Sequence, residues 1–339
     1  MHWTIAAPFF EESDLGKSQW LDDFVPGGQH SFTKIYRRKN VAHQSWHNRS
    51  SRNTPLAEWL TFWNQGGDAW HGADGGCITV FPQMANMVGL HKRLSSKNSA
   101  VVAWCFNVGA LYPGIKQRLA NFCLQGIDKF IVHSRRECET VSDWLKLPQS
   151  KFEFVPLQRA EIPVLASEDL DKPFVLSMGS ANRDYPTFFK AVEKLKIRTV
   201  IVASQYALRG LNIPANVEVL SGLTPEQCHR LAQEARINVV PLVDHPTAAG
   251  QVTIIEAMRM SRPVIATRCI GSEDYIDHAA NGLLVPAYSV DELAGAIDQL
   301  WSDEGLRTSL AREAGKYTRE NLSDEAAGIN LRRILDQFL

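Results

Sequence analysis

From residue 174 onward, short β-branched and apolar runs alternate with longer stretches whose apolar positions recur every three or four residues. The runs are FVLSM (174–178), TVIVAS (199–204), VEVL (217–220), INVVPL (237–242), PVIAT (263–267) and GLLVP (282–286). Between them, TFFKAVEKL, TPEQCHRLAQEA, VTIIEAMRM and VDELAGAIDQLW carry the helical spacing. Thr224-Pro225-Glu226 predicts a helix start, with an N-cap threonine and proline at the first helical position. Strands alternating with helices of this length predict βαβ units and a parallel sheet. In the first half, CITVF (77–81), AVVAWCF (100–106) and KFIVHS (129–134) read as buried parallel strands, and YPGIKQRLANFCLQG as a helix between the last two. Before residue 65 neither period is clean, and the region reads as mixed. Everything after 303 is helical, and AAGINLRRILDQFL is amphipathic.

A chain of 339 residues is long for one core and suits two domains. The proline- and acid-rich stretch VPLQRAEIPVLASEDLDKP (155–173) is the natural boundary. It gives an N-terminal domain over 1–158 and a C-terminal domain over 159–339, with the last helix able to pack back on the first domain. Two α/β domains of this size are expected to leave a cleft. In open parallel sheets the ligand sits beyond the carboxyl ends of the strands, so the loops that follow strands hold the candidate chemistry.

The loop after the strand at 174–178 is GSANRDYPTFF. Gly179 and Ser180 allow backbone to approach a ligand closely, and Arg183 brings a fixed positive charge. The pattern is neither a Walker motif nor GxGxxG. The loop after 237–242 is VDHPTAAGQVTIIEAM, in which Thr247, Ala248, Ala249 and Gly250 are small. A helix starting near Gln251, Val252 and Thr253 offers unpaired N–H groups and the positive end of its dipole to an anion such as a diphosphate. Glu256, one turn further on, suits the hydroxyls of a neighbouring ribose; the bland alternative is a carboxylate that complements the helix dipole.

Apolar residues make up 45% and charged residues 22% of the chain, ordinary values for a soluble globular protein. No leader and no run near the ~20 residues of a membrane span is evident. The six scattered cysteines then read as reduced thiols, and the expected compartment is the cytoplasm, where the Asn48-Arg49-Ser50 sequon has no meaning. Net charge is −1 but uneven: residues 1–160 hold eighteen Lys and Arg against thirteen Asp and Glu. Lys34, Arg37, Arg38, Lys39, Arg49 and Arg52 fall in a stretch without acid between Asp23 and Glu58. Such a stretch meets phosphate, an anionic bilayer or an acidic substrate, or is simply a solvated loop. His43 and His47 are spaced as two metal ligands on a helix but lack a third. Seven of the nine tryptophans lie within residues 1–104, where aromatic faces serve a core, a sugar or a membrane interface. His133 and Ser134 read as a strand-to-helix junction, with Ser134 as N-cap.

As a set, three segments resemble the family-four glycosyltransferases of GT-B fold. VVPLVDHPTAAGQVTIIEAMRMSRPVIATRCIGSEDYIDHAANGLLVP is similar to their donor-site signature. FVLSMGSANRDYPTFFKAV is similar to the first loop of their second domain, and VEVLSGLTPEQCHRLAQEARINVVP to their base-binding segment. The resemblance covers about 173–302; the first domain matches only in rhythm. It implies two Rossmann-like α/β domains with parallel sheets facing across a cleft, and a nucleotide-diphosphate sugar held by the second. Gly179, Ser180, Arg183 and the backbone of Gly250, Gln251, Val252 and Thr253 would face the diphosphate, Glu256 the ribose and Leu223 the base. Arg183 and Asn107 are the candidate catalytic residues; no carboxylate general base is identifiable, and His30 and Gln83 stand beside Asn107 as cleft candidates. Where the family has the first of two glutamates this chain has Ala248, its usual Gly-Lys pair is absent, and Phe106 and Asn107 stand near the place of a histidine.

The function so implied is transfer of a hexose from a nucleotide-diphosphate sugar to a glycan or lipid-linked acceptor, with retention of configuration. No metal or cofactor is expected, because no DxD pair ends a strand, and no nucleic-acid partner. The expected location is cytoplasmic, peripheral at the inner face of an anionic membrane. The alternatives are a catalytically degenerate GT-B nucleotide-sugar-binding or partner subunit, and a nucleotide-sugar epimerase.

Overall fold

The computed structural model describes residues 1–16, 18–37 and 54–339. Two compact units divide them: Met1–Val155 with Gly328–Leu339, and Pro156–Ala327.

The first unit runs β1 (His2–Glu11), β2 (Ser31–Arg37), α1 (Leu56–Gly72), β3 (Gly76–Val80), α2 (Pro82–Arg93), β4 (Ala100–Trp104), α3 (Ile115–Leu124), β5 (Lys129–Val132), α4 (Arg135–Leu145) and β6 (Phe152–Phe154). Its six strands are all parallel, in the order β2-β1-β3-β4-β5-β6. β3 is buried along its whole length and β4 and β5 at all but their first residue, as helices on both faces require. The first 65 residues, mixed in the sequence reading, contain β1, which lies between β2 and β3 in this sheet. Its sequence HWTIAAPFFE does not alternate because residues on both faces are buried. In α1 the apolar period is broken by Gln65, which is buried and donates from Nε2 to the carbonyls of Ala7 (2.9 Å) and Ile35 (2.8 Å).

The second unit runs β7 (Val175–Met178), α5 (Tyr185–Leu195), β8 (Thr199–Val202), β9 (Val217–Leu220), α6 (Pro225–Glu234), β10 (Ile237–Val240), α7 (Gln251–Arg259), β11 (Val264–Thr267), β12 (Leu283–Val285), α8 (Val290–Ser302) and α9 (Glu304–Asn321). The sheet is again six-stranded and parallel, ordered β12-β11-β10-β7-β8-β9. α6 starts as its sequence predicts: Thr224 and Gln227 form a reciprocal capping box with proline at the first position. α10 (Asp324–Leu335) follows, and from Gly328 onward its residues belong to the first unit.

One cluster, built on Phe62, Trp70, Phe106 and Phe130, lies within residues 1–155. Those built on Phe188, Ile201 and Ile297, on Ile254, Ile255 and Met258, and on Phe174, Leu176 and Met260 lie within residues 156–327. Trp3, Trp70 and Trp104 are fully buried, so these three tryptophans serve the core and not a sugar.

Three expectations change. The basic stretch is not an open patch where it is described. Lys34 reaches Asp22 (3.1 Å), Asp23 (3.3 Å) and the Ser18 carbonyl (2.7 Å), and Arg37 pairs with Glu11. Its other cations, with His43, His47 and the sequon, lie outside the described residues. Ser134 holds the N-cap backbone position of α4, but its hydroxyl makes no cap hydrogen bond. His30, a cleft candidate in the sequence, is buried and held between two side chains. Its Nδ1 accepts from the Trp3 indole (3.1 Å), so Nε2 carries the proton that meets Asp336 (2.8 Å).

Candidate functional site

In the second unit the loops that follow β7, β8, β10 and β11 emerge at one end of the sheet, the carboxyl ends of parallel strands. α7 starts there. Gly250 is its N-cap in the left-handed region (φ +77°), and a Cβ at that position would stand 3.0 Å from the side chains of Leu242 and Val240. Only glycine fits both the dihedral and the space. No side chain caps the helix, and the N–H groups of Val252 and Thr253 meet no acceptor among the described residues. Gln251 is turned inward, with Nε2 toward the Tyr275 hydroxyl (3.3 Å), while Val252 is exposed.

The loop after β7 lies against this helix end. Arg183 donates from Nε to the Met178 carbonyl (3.0 Å), from Nη1 to the Ala181 carbonyl (2.9 Å) and from Nη2 to Thr253 Oγ1 (3.1 Å). That last bond ties the guanidinium to the first turn of α7. A Cβ on Gly179 (φ +111°) would fall 2.4 Å from Nη2, so the missing side chain is what lets the guanidinium cross the loop. Burial lowers the Arg183 pKa from its ordinary value, a desolvation that an arriving anion would offset. Ser180 Oγ accepts from the backbone N–H (2.9 Å) and meets the hydroxyl (2.7 Å) of Ser204, just beyond β8. Asp184 closes the loop as N-cap of α5, accepting from the Thr187 N–H (3.2 Å).

Glu256 is not free. Oε1 accepts from Arg159 Nη2, and Oε2 lies 3.6 Å from His229 Nε2 on α6. The Glu256 side chain is 13% exposed while that of Arg159 is 41% exposed, so the carboxylate is the inner partner. Neither Arg159 nor His229 was singled out by the sequence. Arg159 is one of two cations in an acidic linker, 97 residues from its partner, and nothing local marks the pairing. Leu223, half-buried, immediately precedes the capping box of α6, which is the helix that carries His229.

Ala248 is 5% exposed, and a Cβ on Gly271, in the loop after β11, would stand 2.8 Å from the Ala248 Cβ. The backbone there is packed for a small residue, so the missing acid is matched by its surroundings.

In the first unit, Asn107 is half-buried three residues beyond β4, and its N–H donates to the carbonyl of Cys105 (2.8 Å), which has φ +51°. Trp104 at the end of β4, Gln83 shortly after β3 and Ser134 shortly after β5 are neighbours in sheet order. Each keeps a buried polar atom without a partner: Trp104 Nε1, Gln83 Oε1 and Ser134 Oγ. Among the described residues no group of three or more His, Cys, Asp or Glu could hold a metal ion. No described helix is long and apolar enough to cross a membrane.

Two units, each a parallel α/β sheet with chemistry at its strand ends, define the GT-B class. Solved structures of that class share the fold. Sucrose-phosphate synthase from Thermosynechococcus elongatus superposes with a TM-score of 0.71 at 15% identity, covering 99% of both chains. Anabaena HepE in complex with UDP-glucose gives 0.68 at 11% identity, over 99% of this chain and 98% of its own. Residues 172–303, within the second unit, match the family Glycosyl transferases group 1. The alpha-D-kanosaminyltransferase of Streptomyces kanamyceticus is 32% identical over 83 residues, 23% of this chain and 22% of that protein. The matches span less than a third of the length of the first curated relatives.

Proposed function

We propose that this protein is a glycosyltransferase that moves a sugar from a nucleotide-diphosphate sugar to a glycan or lipid-linked acceptor, with retention of configuration. The observation that carries the reading is the open start of α7, held by Gly250 and flanked by the guanidinium of Arg183. The N–H groups of Val252 and Thr253, the helix dipole and Arg183 all favour a diphosphate at that point. Glu256 then takes the ribose hydroxyls. Arg159 neutralises the carboxylate on its far side, so that a negative charge one turn from the diphosphate does not repel it. The C1–O bond breaks toward the diphosphate, and this cationic frame stabilises the leaving group as its charge grows. The acceptor belongs on the strand ends of the first unit, where half-buried Gln83 keeps an unpaired Oε1 and Asn107 stands in the loop after β4. No step calls on a metal.

Thermal shift with nucleoside diphosphates and nucleotide sugars tests this. A donor at 100 times its dissociation constant adds about 2.7 kcal/mol, worth roughly 5–10 °C for a domain of this size. Glu256→Ala removes hydrogen bonds to a charged acceptor and should weaken donor binding about 10- to 100-fold. Arg183→Ala should do the same for diphosphates, and the anomeric configuration of the product, read by NMR, tests retention. No shift with any nucleotide would sink the proposal. The packing at Ala248 favours a second reading, a degenerate nucleotide-sugar-binding subunit. It predicts the same shift with neither transfer nor hydrolysis of the donor.

A further inference from the structure

α3 is amphipathic in the wrong direction for a helix that only covers a sheet. Ile115, Leu119 and Phe122 recur at i, i+4 and i+7 and form one stripe, yet they are 75%, 60% and 45% exposed. Leu124, on the opposite side of the helix, is its buried residue. Tyr112, also exposed, precedes the stripe. Cations border it. Lys116 and Arg118 flank the stripe within the helix. The Lys116 ammonium lies 4.3 Å from the Tyr112 ring centroid, and the Arg93 guanidinium 4.4 Å from that of Phe122. α3 contains no acidic residue, and among the described residues neither Arg93, Lys116 nor Arg118 has a carboxylate partner.

We infer that this face docks on an anionic lipid surface. A row of apolar and aromatic side chains rimmed by cations that face no described carboxylate, Arg93 bonding only the neutral Gln125 side chain (2.6 Å), matches the acyl boundary beneath a layer of negative headgroups. A second copy of the chain fits poorly, because pairing α3 with itself would set cation against cation. The loop that leads into α3 is the one that carries Asn107, so docking holds the proposed acceptor side of the first unit at the bilayer. The inference deepens the proposed lipid-linked acceptor and rests on that reading for its purpose, though not for its chemistry.

The test is flotation of the full chain with vesicles of phosphatidylcholine, with and without about 30% phosphatidylglycerol. The wild type should float with the anionic vesicles only, and the bound fraction should fall steeply from low to high salt. At about a fivefold loss per cation, Lys116→Gln with Arg118→Gln should weaken binding roughly 30-fold. Ile115→Ser, Leu119→Ser and Phe122→Ser together should abolish flotation. These side chains are exposed, so the melting temperature and the nucleotide-induced shift should stay at wild-type values, which separates loss of docking from loss of the donor site. Failure of the wild type to float, or equal flotation of the serine variant, overturns the inference. So does a wild-type dimer that the serine variant converts to monomer without any vesicle binding.

Discussion

At the residue scale the most sharply defined ionisable group is His133, at the end of β5. It is fully buried, Nδ1 meeting the Val155 carbonyl (2.7 Å) and Nε2 the Cys105 sulfur (3.2 Å). Burial pushes its pKa down to about 4, against a partial restoring effect of the backbone bond, so the folded chain holds the ring neutral. The unfolded chain takes up that proton near pH 6.5. The group's contribution to stability is therefore complete above that pH, falls as pH drops from about 6.5 to about 4, and is then flat. The full loss is on the order of 3 kcal/mol. Urea titrations of wild type and His133→Gln over this range should show a shallower pH dependence in the variant; parallel curves would rule His133 out as the cause. The contact matters beyond stability, because Cys105, held by this ring, sits in the left-handed region at the head of the loop that carries Asn107.

At the scale of elements, the start of α7 is the point on which the proposed donor binding depends, and Gly250 is where a single methyl group tests it. Gly250→Ala forces a side chain into φ +77° and sets a Cβ at 3.0 Å from Leu242 and Val240. The strain costs about 1–2 kcal/mol, or roughly 2–8 °C for this unit. Because the first N–H groups of α7 turn with that residue, donor affinity should fall further than stability does. A variant that melts lower yet keeps the full nucleotide shift would place the diphosphate elsewhere. The loop and helix of this element were legible in the sequence because their signals are local: small residues, a glycine and a helical period within ten positions. The partners of Glu256 were not legible, since Arg159 is 97 residues away and His229 belongs to another helix. β1 was missed for a different reason. A strand buried on both faces gives a continuous apolar run, and HWTIAAPFFE offers neither alternation nor a following helix within thirty residues to identify it. The start of α6 was readable from Thr224-Pro225-Glu226 because N-cap and proline are adjacent, and the structure adds the reciprocal bond with Gln227.

At the scale of the molecule, the clusters built on Phe62, Phe188, Ile254 and Phe174 each lie within one unit, while the last twelve residues are assigned to the first unit. Their contacts there are specific. Asp336 accepts from His30, Phe338 packs edge-on to Trp3 at 5.9 Å between centroids, Arg332 bonds Gln29 (2.6 Å) and Arg333 pairs with Glu153 (2.5 Å). Leu331, Ile334 and Leu335 are fully buried, and burial of such side chains is worth about 1.5–3 kcal/mol each. Removing residues 328–339 should thus lower the melting of the first unit by about 10 °C or more. Phe338→Ala, which leaves the segment in place and removes one ring from Trp3, should lower it by a smaller amount in the same direction. A nucleoside diphosphate, if bound by the second unit as proposed, should raise a different part of the melting curve. In calorimetry the truncation and the nucleotide would then act on separable transitions, and the truncated chain would keep its nucleotide shift. If both perturbations moved one common transition, the units would be folding as a single cooperative block, and the confinement of each of these clusters to one unit would have no thermodynamic counterpart.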